Sequence, residues 1–217
     1  NISYVVVKTF NPYTFKPVNV ILAKDRLAAY FNPKAEEVEF EDYREGDKLI
    51  PYKIIEELKG SELEGLEYEQ LLPYVRPDKP AFRIILGDFV TTEDGTGIVH
   101  IAPTFGADDQ RVAARAGIPA ITIKGEKGEE LPLVDKQGRF VKEVTDFPGA
   151  FVKAEYEADG VVDDNYMSVD VRIAIKLKEE NRAFKVEKYV HSYPHCWRTD
   201  KPVLYYPMDS WFVRTTA

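Results

Sequence analysis

The chain has 217 residues, of which 44% are hydrophobic, so it can bury one substantial core or two small ones. Its net charge of −8 argues against a uniformly basic nucleic-acid-binding surface, and its single cysteine excludes an internal disulfide and indicates a reducing compartment. With no signal peptide or long apolar run, the sequence predicts a cytoplasmic location and no membrane partner. We expect one large domain with a small appendage, cut from a longer protein.

Charge is distributed unevenly along the chain. Acidic residues are concentrated between Glu36 and Glu69, whereas the segment from 172 to 201 is basic. The basic residues of that segment are Arg172, Lys176, Lys178, Arg182, Lys185, Lys188, Arg198 and Lys201. This asymmetry is compatible with a face that meets phosphate, and equally with two ordinary solvated surfaces.

The first part of the chain is predicted to consist mainly of short strands. Runs rich in Val, Ile and Phe predict strands at 2–9, 18–23, 82–86 and 89–92. Asp25 is placed to cap a brief helix through Ala29. A second helix is predicted over 52–58, because Ile54, Ile55 and Leu58 are spaced for one helical face. Three prolines then indicate a loop over 73–80.

The later part alternates strands and helices. We predict a strand at 120–124, a hairpin over 134–141 around the Gln-Gly pair at 137–138, and a strand at 184–189. Ser168 is placed to cap a helix that runs through Glu180. Many short strands with interspersed helices favour a β-rich α+β fold, with the strands forming a barrel, over a doubly wound sheet.

Candidate chemistry is concentrated between Asp94 and Gly117. After an Asp-Gly turn, residues 98–102 predict a short strand that contains His100. A turn over 104–106 ends in a glycine free to adopt positive φ, and a helix is predicted to begin at Asp108 and Asp109. Gly117 is placed to end this helix. A histidine and two carboxylates could therefore converge on a small ligand.

Each of these side chains also has a plain structural interpretation. A single histidine in an apolar strand is more often a hydrogen-bonded core residue than a catalyst, and carboxylates at a helix start cap amides. The sequence has no GxSxG elbow and no Walker lysine. His191, His195 and Cys196 are too few to complete a structural zinc site, so no metal is predicted.

Two runs of sequence resemble one protein family. GTGIVHIAPTFGADD, Gly95–Asp109, resembles the GTGxVHxAPxxGxDD signature of the editing domain inserted into isoleucyl-tRNA synthetases. HSYPHCWRTDKPVLYYPMDSWFVR, His191–Arg214, resembles the segment by which those enzymes return to their catalytic core. The resemblance implies an editing (CP1) domain over 1–186 and a return ribbon over 187–217.

The resemblance implies hydrolysis of valine wrongly attached to isoleucine tRNA, with valyl-adenylate as a possible second substrate. Asp109 would anchor the α-ammonium group of the substrate, and His100 would contact the terminal ribose or help exclude isoleucine. Ala102 would line the pocket, with Thr96 and Gly97 also contacting the substrate. Asp108 would cap the helix and hold its neighbour, supported by Gly106. The partners implied are the valine-charged acceptor end of tRNA(Ile) and the rest of the synthetase.

The sequence departs from the family pattern in ways that limit its expected activity. The threonine-rich TTxPWT wall of the editing pocket and the adenylate-forming HIGH and KMSKS signatures are absent. We therefore expect the 217 residues alone to edit weakly or not at all and to be unable to aminoacylate. No cofactor is expected for this segment, although the parent enzyme would use ATP and Mg²⁺. Cys196 is followed by Thr199 where some relatives have a second cysteine, which argues against zinc.

A noncatalytic tRNA-binding module is the competing hypothesis. The basic segment from 172 to 201 would contact phosphates, and Trp197 or Tyr189 would stack on an unpaired base.

Overall fold

The computed structural model describes residues 2–208 together with residues 211, 213 and 215. Four positions of the second family-like run, 209, 210, 212 and 214, lie outside the described residues. The chain divides into two compact units, each assembled from separated segments. The first unit comprises Asn1–Leu72, Phe82–His100 and Asp170–Val190, and the second comprises Pro73–Ala81, Ile101–Val169 and His191–Ala217.

An antiparallel three-stranded sheet lies at the centre of the first unit, in the order β2-β1-β3. Its strands are β1 (Ser3–Phe10), β2 (Pro17–Ala23) and β3 (Lys53–Lys59). β1 and β2 form a hairpin, which confirms both strands predicted at the start of the chain. Val5 and Val7 are two residues apart in β1 and therefore share one face of the strand. Both side chains are fully buried in the core on that face.

The helix predicted over 52–58 is wrong, since this segment is the strand β3. Its apolar spacing suits a helix, yet Ile54 and Ile55 are 38% and 52% exposed. The other edge of β1 decides the conformation, because it pairs with this segment from Lys53 to Lys59, and Ile55 is left out of the register where it shifts between Val6 and Val7.

Short helices follow β2 and cover one face of the sheet. A 3₁₀ turn, Lys24–Arg26, leads directly into α1 (Leu27–Tyr30), which confirms a brief helix at this point. Asp25 lies inside the 3₁₀ turn and does not cap it, because Ala23 is the N-cap residue. The core formed here contains Val5, Val7, Leu22, Phe31, Ala35 and Tyr52.

Two further helices match their predictions closely. α2 (Ala107–Arg115) belongs to the second unit, and α3 (Val169–Glu179) lies almost wholly in the first. The second unit also contains a two-stranded antiparallel ribbon of β4 (Thr122–Lys124) and β5 (Glu130–Pro132). The hairpin predicted over 134–141 is confirmed by the bridge between Val134 and Phe140 and by Gly138 at φ +81°.

Four predicted strands, at 82–86, 89–92, 98–102 and 184–189, are not strands. Only Arg83 forms an isolated bridge, with Glu67. β-branched residues favour extended backbone, but a strand also needs a neighbouring edge to pair with.

The described residues form a mixed fold with more strand than α-helix, in small antiparallel sheets that do not close into a barrel. No helix in this part of the chain is long and apolar enough to cross a membrane.

Candidate functional site

The segment from Asp94 to Gly117 contributes to both compact units. Thr96, Gly97 and His100 belong to the first unit, and the residues from Ile101 onwards belong to the second. The candidate residues therefore form two groups, and each has its own local geometry.

In the first unit, the Gly-Thr-Gly turn packs against the end of β2. Ala23 donates its N–H to the Thr96 carbonyl at 2.8 Å, and the buried Tyr4 hydroxyl donates to the Gly97 carbonyl at 2.6 Å. Gly97 has φ +76°, and a Cβ added there would lie 2.6 Å from the Cβ of Ala23. Both the backbone conformation and the close approach therefore require glycine at position 97.

Arg26 holds the same turn from the side. Its guanidinium group donates to the carbonyl of Gly95 at 2.9 Å and to that of Glu93 at 3.1 Å. Tyr4, Ala23 and Arg26 lie about 70 to 90 residues before the turn, and no local sequence pattern links them to it, so their roles could not be predicted from the sequence.

His100 is exposed and lies outside any strand. The expectation of a strand histidine is therefore wrong, and so is the interpretation of His100 as a buried core residue. Thr96 turns its hydroxyl toward its own chain, accepting from the Ile98 N–H at 3.3 Å.

In the second unit, the half-buried carboxylate of Asp109 fixes the shape of the Ala-Pro-Thr-Phe-Gly loop. Asp109 Oδ2 accepts the N–H of Ala102 at 3.0 Å. A Cβ on Gly106 would lie 3.0 Å from the same oxygen, so the glycine leaves room for the carboxylate. Within the described residues no donor is bonded to Asp109 Oδ1. One oxygen therefore stabilises the loop while the other can accept a ligand.

Asp108 has a different environment from Asp109. It is exposed and forms an ion pair with Arg111, one turn later, at 3.2 Å. The N-cap residue of α2 is Gly106, so the expectation that Asp108 caps the helix is wrong. Gly106 is also extended at φ −142° and does not adopt the positive φ open to glycine.

α2 begins and ends where the sequence predicted. Asp108 and Asp109 lie in its first turn, where the helix dipole stabilises negative charge. At the other end Gly117 has φ +66°. Its N–H donates to the Ala114 carbonyl and the Ile118 N–H donates to the Ala113 carbonyl, which together form a Schellman motif. The helix thus holds Asp109 at a fixed place relative to the loop.

A turn around Cys196 is the third chemically distinctive feature. The Cys196 N–H donates to the Lys201 carbonyl at 2.8 Å. Hydrogen bonds from the Thr199 hydroxyl, and then from the N–H groups of Arg198 and Thr199, hold the pKa of the Cys196 thiol below its ordinary value. The neighbouring Trp197 is 85% exposed, with the Arg198 guanidinium stacked 4.6 Å from its ring.

No cluster of three or more His, Cys, Asp or Glu residues in the described part of the chain could hold a metal ion. His195 directs Nδ1 to the Tyr193 carbonyl at 2.9 Å, a hydrogen bond within its own turn.

The known proteins that the chain resembles share one name, although no family model matches. No family model matches the chain. It aligns over its whole length with isoleucine–tRNA ligases from Cytophaga hutchinsonii, at 67% identity, and Bacteroides fragilis, at 54% identity, covering 20% of each. The enzyme of Clostridium acetobutylicum is 40% identical over 99% of the chain and is covered to 18%. The chain thus spans about a fifth of the length of these curated relatives.

Proposed function

Along its whole length this chain is homologous to one segment of the isoleucine–tRNA ligases, and we propose that this segment hydrolyses valine wrongly attached to tRNA(Ile). In the reaction, a water oxygen attacks the ester carbonyl carbon and the bond to the ribose oxygen breaks. The proton lost by the water passes to that ribose oxygen. The products are valine and uncharged tRNA.

The reaction answers a limit on binding selectivity. One methylene in a hydrophobic pocket is worth only about 1–3 kcal/mol, a limit for which the isoleucine enzymes are a standard example. The synthetic site therefore also attaches some valine to the tRNA. A second site that admits only the smaller side chain removes the error. Positioning of water and ester, rather than a covalent nucleophile, would supply the rate enhancement.

The geometry of Asp109 is the observation that supports this proposal most directly. Its Oδ2 is held by the Ala102 amide, which fixes the direction of the carboxylate, and its Oδ1 can accept the α-ammonium group of valine. Ala102, in the same loop, would form part of the pocket wall.

The remaining family-like residues belong to the first unit, and the family resemblance alone suggests their roles. The exposed imidazole of His100 would contact the terminal ribose or help exclude isoleucine. The carbonyls of Thr96 and Gly97 are already bonded within the fold, so their contribution would come from the shape of the turn and not from those oxygens.

In this proposal, residues 1–186 belong to the editing (CP1) domain and 187–217 form the ribbon that returns to the catalytic core. A threonine-rich segment elsewhere in the synthetase would supply the opposite pocket wall and help complete the barrel expected of the domain. The partners would be the acceptor end of tRNA(Ile) and the remainder of the synthetase, which would bind ATP and Mg²⁺.

The test compares Asp109→Asn with Asp108→Asn in the full-length synthetase. Asn keeps an acceptor for the Ala102 amide and removes the charge, so Val-tRNA(Ile) deacylation should fall about 10- to 150-fold, the loss of one charged hydrogen bond of about 1.5–3 kcal/mol. Asp108→Asn should change the rate by less than about twofold, because that side chain is exposed. Equal effects of the two substitutions would contradict the proposed anchor.

Two controls complete this experiment. Charging with isoleucine should be unchanged in both variants, which separates editing from synthesis. The 217-residue chain alone should deacylate Val-tRNA(Ile) weakly or not at all, and vigorous deacylation by it would contradict the need for a second pocket wall.

The exposed Trp197 favours a second candidate, a noncatalytic tRNA-binding module. Base stacking on an aromatic ring is worth about 1–3 kcal/mol. The basic segment contributes less than its composition suggests, because Lys176, Arg182 and Lys185 are paired with glutamates. If this function is correct, Trp197→Ala lowers the affinity for tRNA(Ile) while Asp109→Asn leaves both affinity and deacylation unchanged.

A further inference from the structure

His100 has no backbone anchor of its own in the first unit. Within the described residues, neither Val99 nor His100 forms a hydrogen bond through its backbone. The last fixed point before them is the Gly-Thr-Gly turn, where the Thr96 hydroxyl accepts the Ile98 N–H. Because only three residues separate Gly97 from His100, a movement of the turn is carried directly to the imidazole.

The second half of the turn is held by buried groups of the sheet. Ala23 donates its N–H to the Thr96 carbonyl. The Tyr4 hydroxyl donates to the next carbonyl, that of Gly97. Both donors belong to residues that are buried in one cluster of the core. This half of the turn therefore cannot shift without disturbing the sheet itself.

One side chain holds the backbone of the first half. The Arg26 guanidinium donates through Nε to the Gly95 carbonyl at 2.9 Å and through Nη1 to the Glu93 carbonyl at 3.1 Å. Between these two residues, Asp94 is bonded through its carboxylate to the exposed Tyr189 hydroxyl. A guanidinium presents its donors in a rigid planar fork, so two bonds to carbonyls two residues apart fix the orientation of the segment as well as its distance.

The backbone that carries the Arg26 side chain is itself fixed. Arg26 ends the 3₁₀ turn after β2 and is the N-cap residue of α1. The 3₁₀ turn starts from Ala23, which is fully buried. Lys24, in the same 3₁₀ turn, directs its ammonium group to Glu57 on β3 at 2.7 Å instead. The guanidinium is thus held by a short connection from the sheet, and its neighbour provides a natural control.

We infer that Arg26 is a positioning residue for editing, which holds the first half of the turn in the orientation that places the His100 imidazole against the terminal ribose of the aminoacyl-tRNA. This inference rests on the proposed hydrolysis of Val-tRNA(Ile). Arg26 touches neither the ester nor the attacking water. Its effect comes from orientation, because a displacement of about 1 Å at a reacting group can lower a rate about 100-fold.

A double-mutant cycle in the full-length synthetase tests the inference. Arg26→Met should lower Val-tRNA(Ile) deacylation about 10- to 100-fold, as expected for a displaced contact. In a His100→Ala background the same substitution should lower the rate by less than about twofold further, because the group that Arg26 positions is already gone. Equal losses in both backgrounds would overturn the inference, since a general loss of folded protein acts whether or not His100 is present.

Two matched variants separate positioning from charge. Arg26→Lys keeps the positive charge but lacks the fork that reaches both carbonyls, so its rate should lie between those of wild type and Arg26→Met. Lys24→Met removes an exposed cation from the same 3₁₀ turn and should change the rate by less than about twofold. Equal rates for Arg26→Met and Lys24→Met would overturn the inference, as would an Arg26→Lys variant no faster than Arg26→Met.

Hydrogen exchange of the peptide covering residues 95–100 provides a readout without tRNA. In Arg26→Met these amides should exchange at least about tenfold faster than in wild type, whereas Lys24→Met should leave them unchanged. Unchanged exchange in both variants would overturn the inference. Lack of hydrolysis by the wild-type synthetase would overturn the proposed function and this inference with it. Hydrolysis that His100→Ala slows and Arg26→Met does not would overturn the inference alone.

Discussion

Replacing Gly97 by alanine should destabilise the first unit by about 2–5 kcal/mol. Two costs contribute. An alanine held at φ +76° has left-handed backbone, which costs roughly 1–2 kcal/mol. The added methyl group would also lie 2.6 Å from the Cβ of Ala23, and overpacking of this kind costs about 1–3 kcal/mol more.

Gly95→Ala is the matched control. Gly95 also has positive φ, +60°, but a Cβ there would meet no heavy atom within 4 Å. This substitution should therefore cost only the backbone strain of roughly 1–2 kcal/mol. The difference between the two variants isolates the contact with Ala23.

The free energies of unfolding are obtained from urea titrations of the 217-residue chain followed by far-UV circular dichroism. Equal destabilisation by Gly97→Ala and Gly95→Ala would refute the argument, because it would mean that the turn does not press against β2.

Three further predictions concern single side chains. Tyr4→Phe removes the hydrogen bond to the Gly97 carbonyl and should lower the free energy of unfolding by about 0.5–1.5 kcal/mol; an unchanged urea midpoint would contradict this. Asp109→Ala leaves a loop amide without its acceptor and should destabilise the chain by about 1–3 kcal/mol in the same titration, more than an asparagine at that position. The thiolate of Cys196 should form at lower pH than that of a free cysteine, so the midpoint of the increase in iodoacetamide alkylation with pH should lie at lower pH than for a free cysteine. Thr199→Val should move this midpoint to higher pH, and an unmoved midpoint would rule out the Thr199 hydroxyl as the main cause.

Segments whose structure depends on nearby residues were predicted well. The hairpin of β1 and β2 and the helices α2 and α3 have both the periodicity and the end signals of their type, such as Gly117 at the end of α2. The error at Ile54 and Ile55 has a different origin, because the partner that makes this segment a strand lies some fifty residues earlier in the sequence.

The candidate site shows the same division. Sequence placed Asp108 and Asp109 correctly in the first turn of a helix, and their different environments became visible only in three dimensions. The partner of Asp109 is a backbone N–H, which every residue except proline possesses, so no residue type could indicate it. His100 was wrongly predicted to lie in a strand, because strand propensity does not show whether another strand lies beside the segment to pair with it.

The contact between Arg26 and the Gly95 carbonyl has a consequence for synthesis on the ribosome. The two residues are 69 positions apart, so at about 5–20 residues per second the arginine is made roughly 3 to 14 seconds before the turn that it holds. A hairpin forms in microseconds, so β1 and β2 can pair long before the turn exists. During that interval the Ala23 amide and the Arg26 guanidinium are bonded to water, and translation pauses between residues 26 and 95 lengthen the exposure of this end of the sheet.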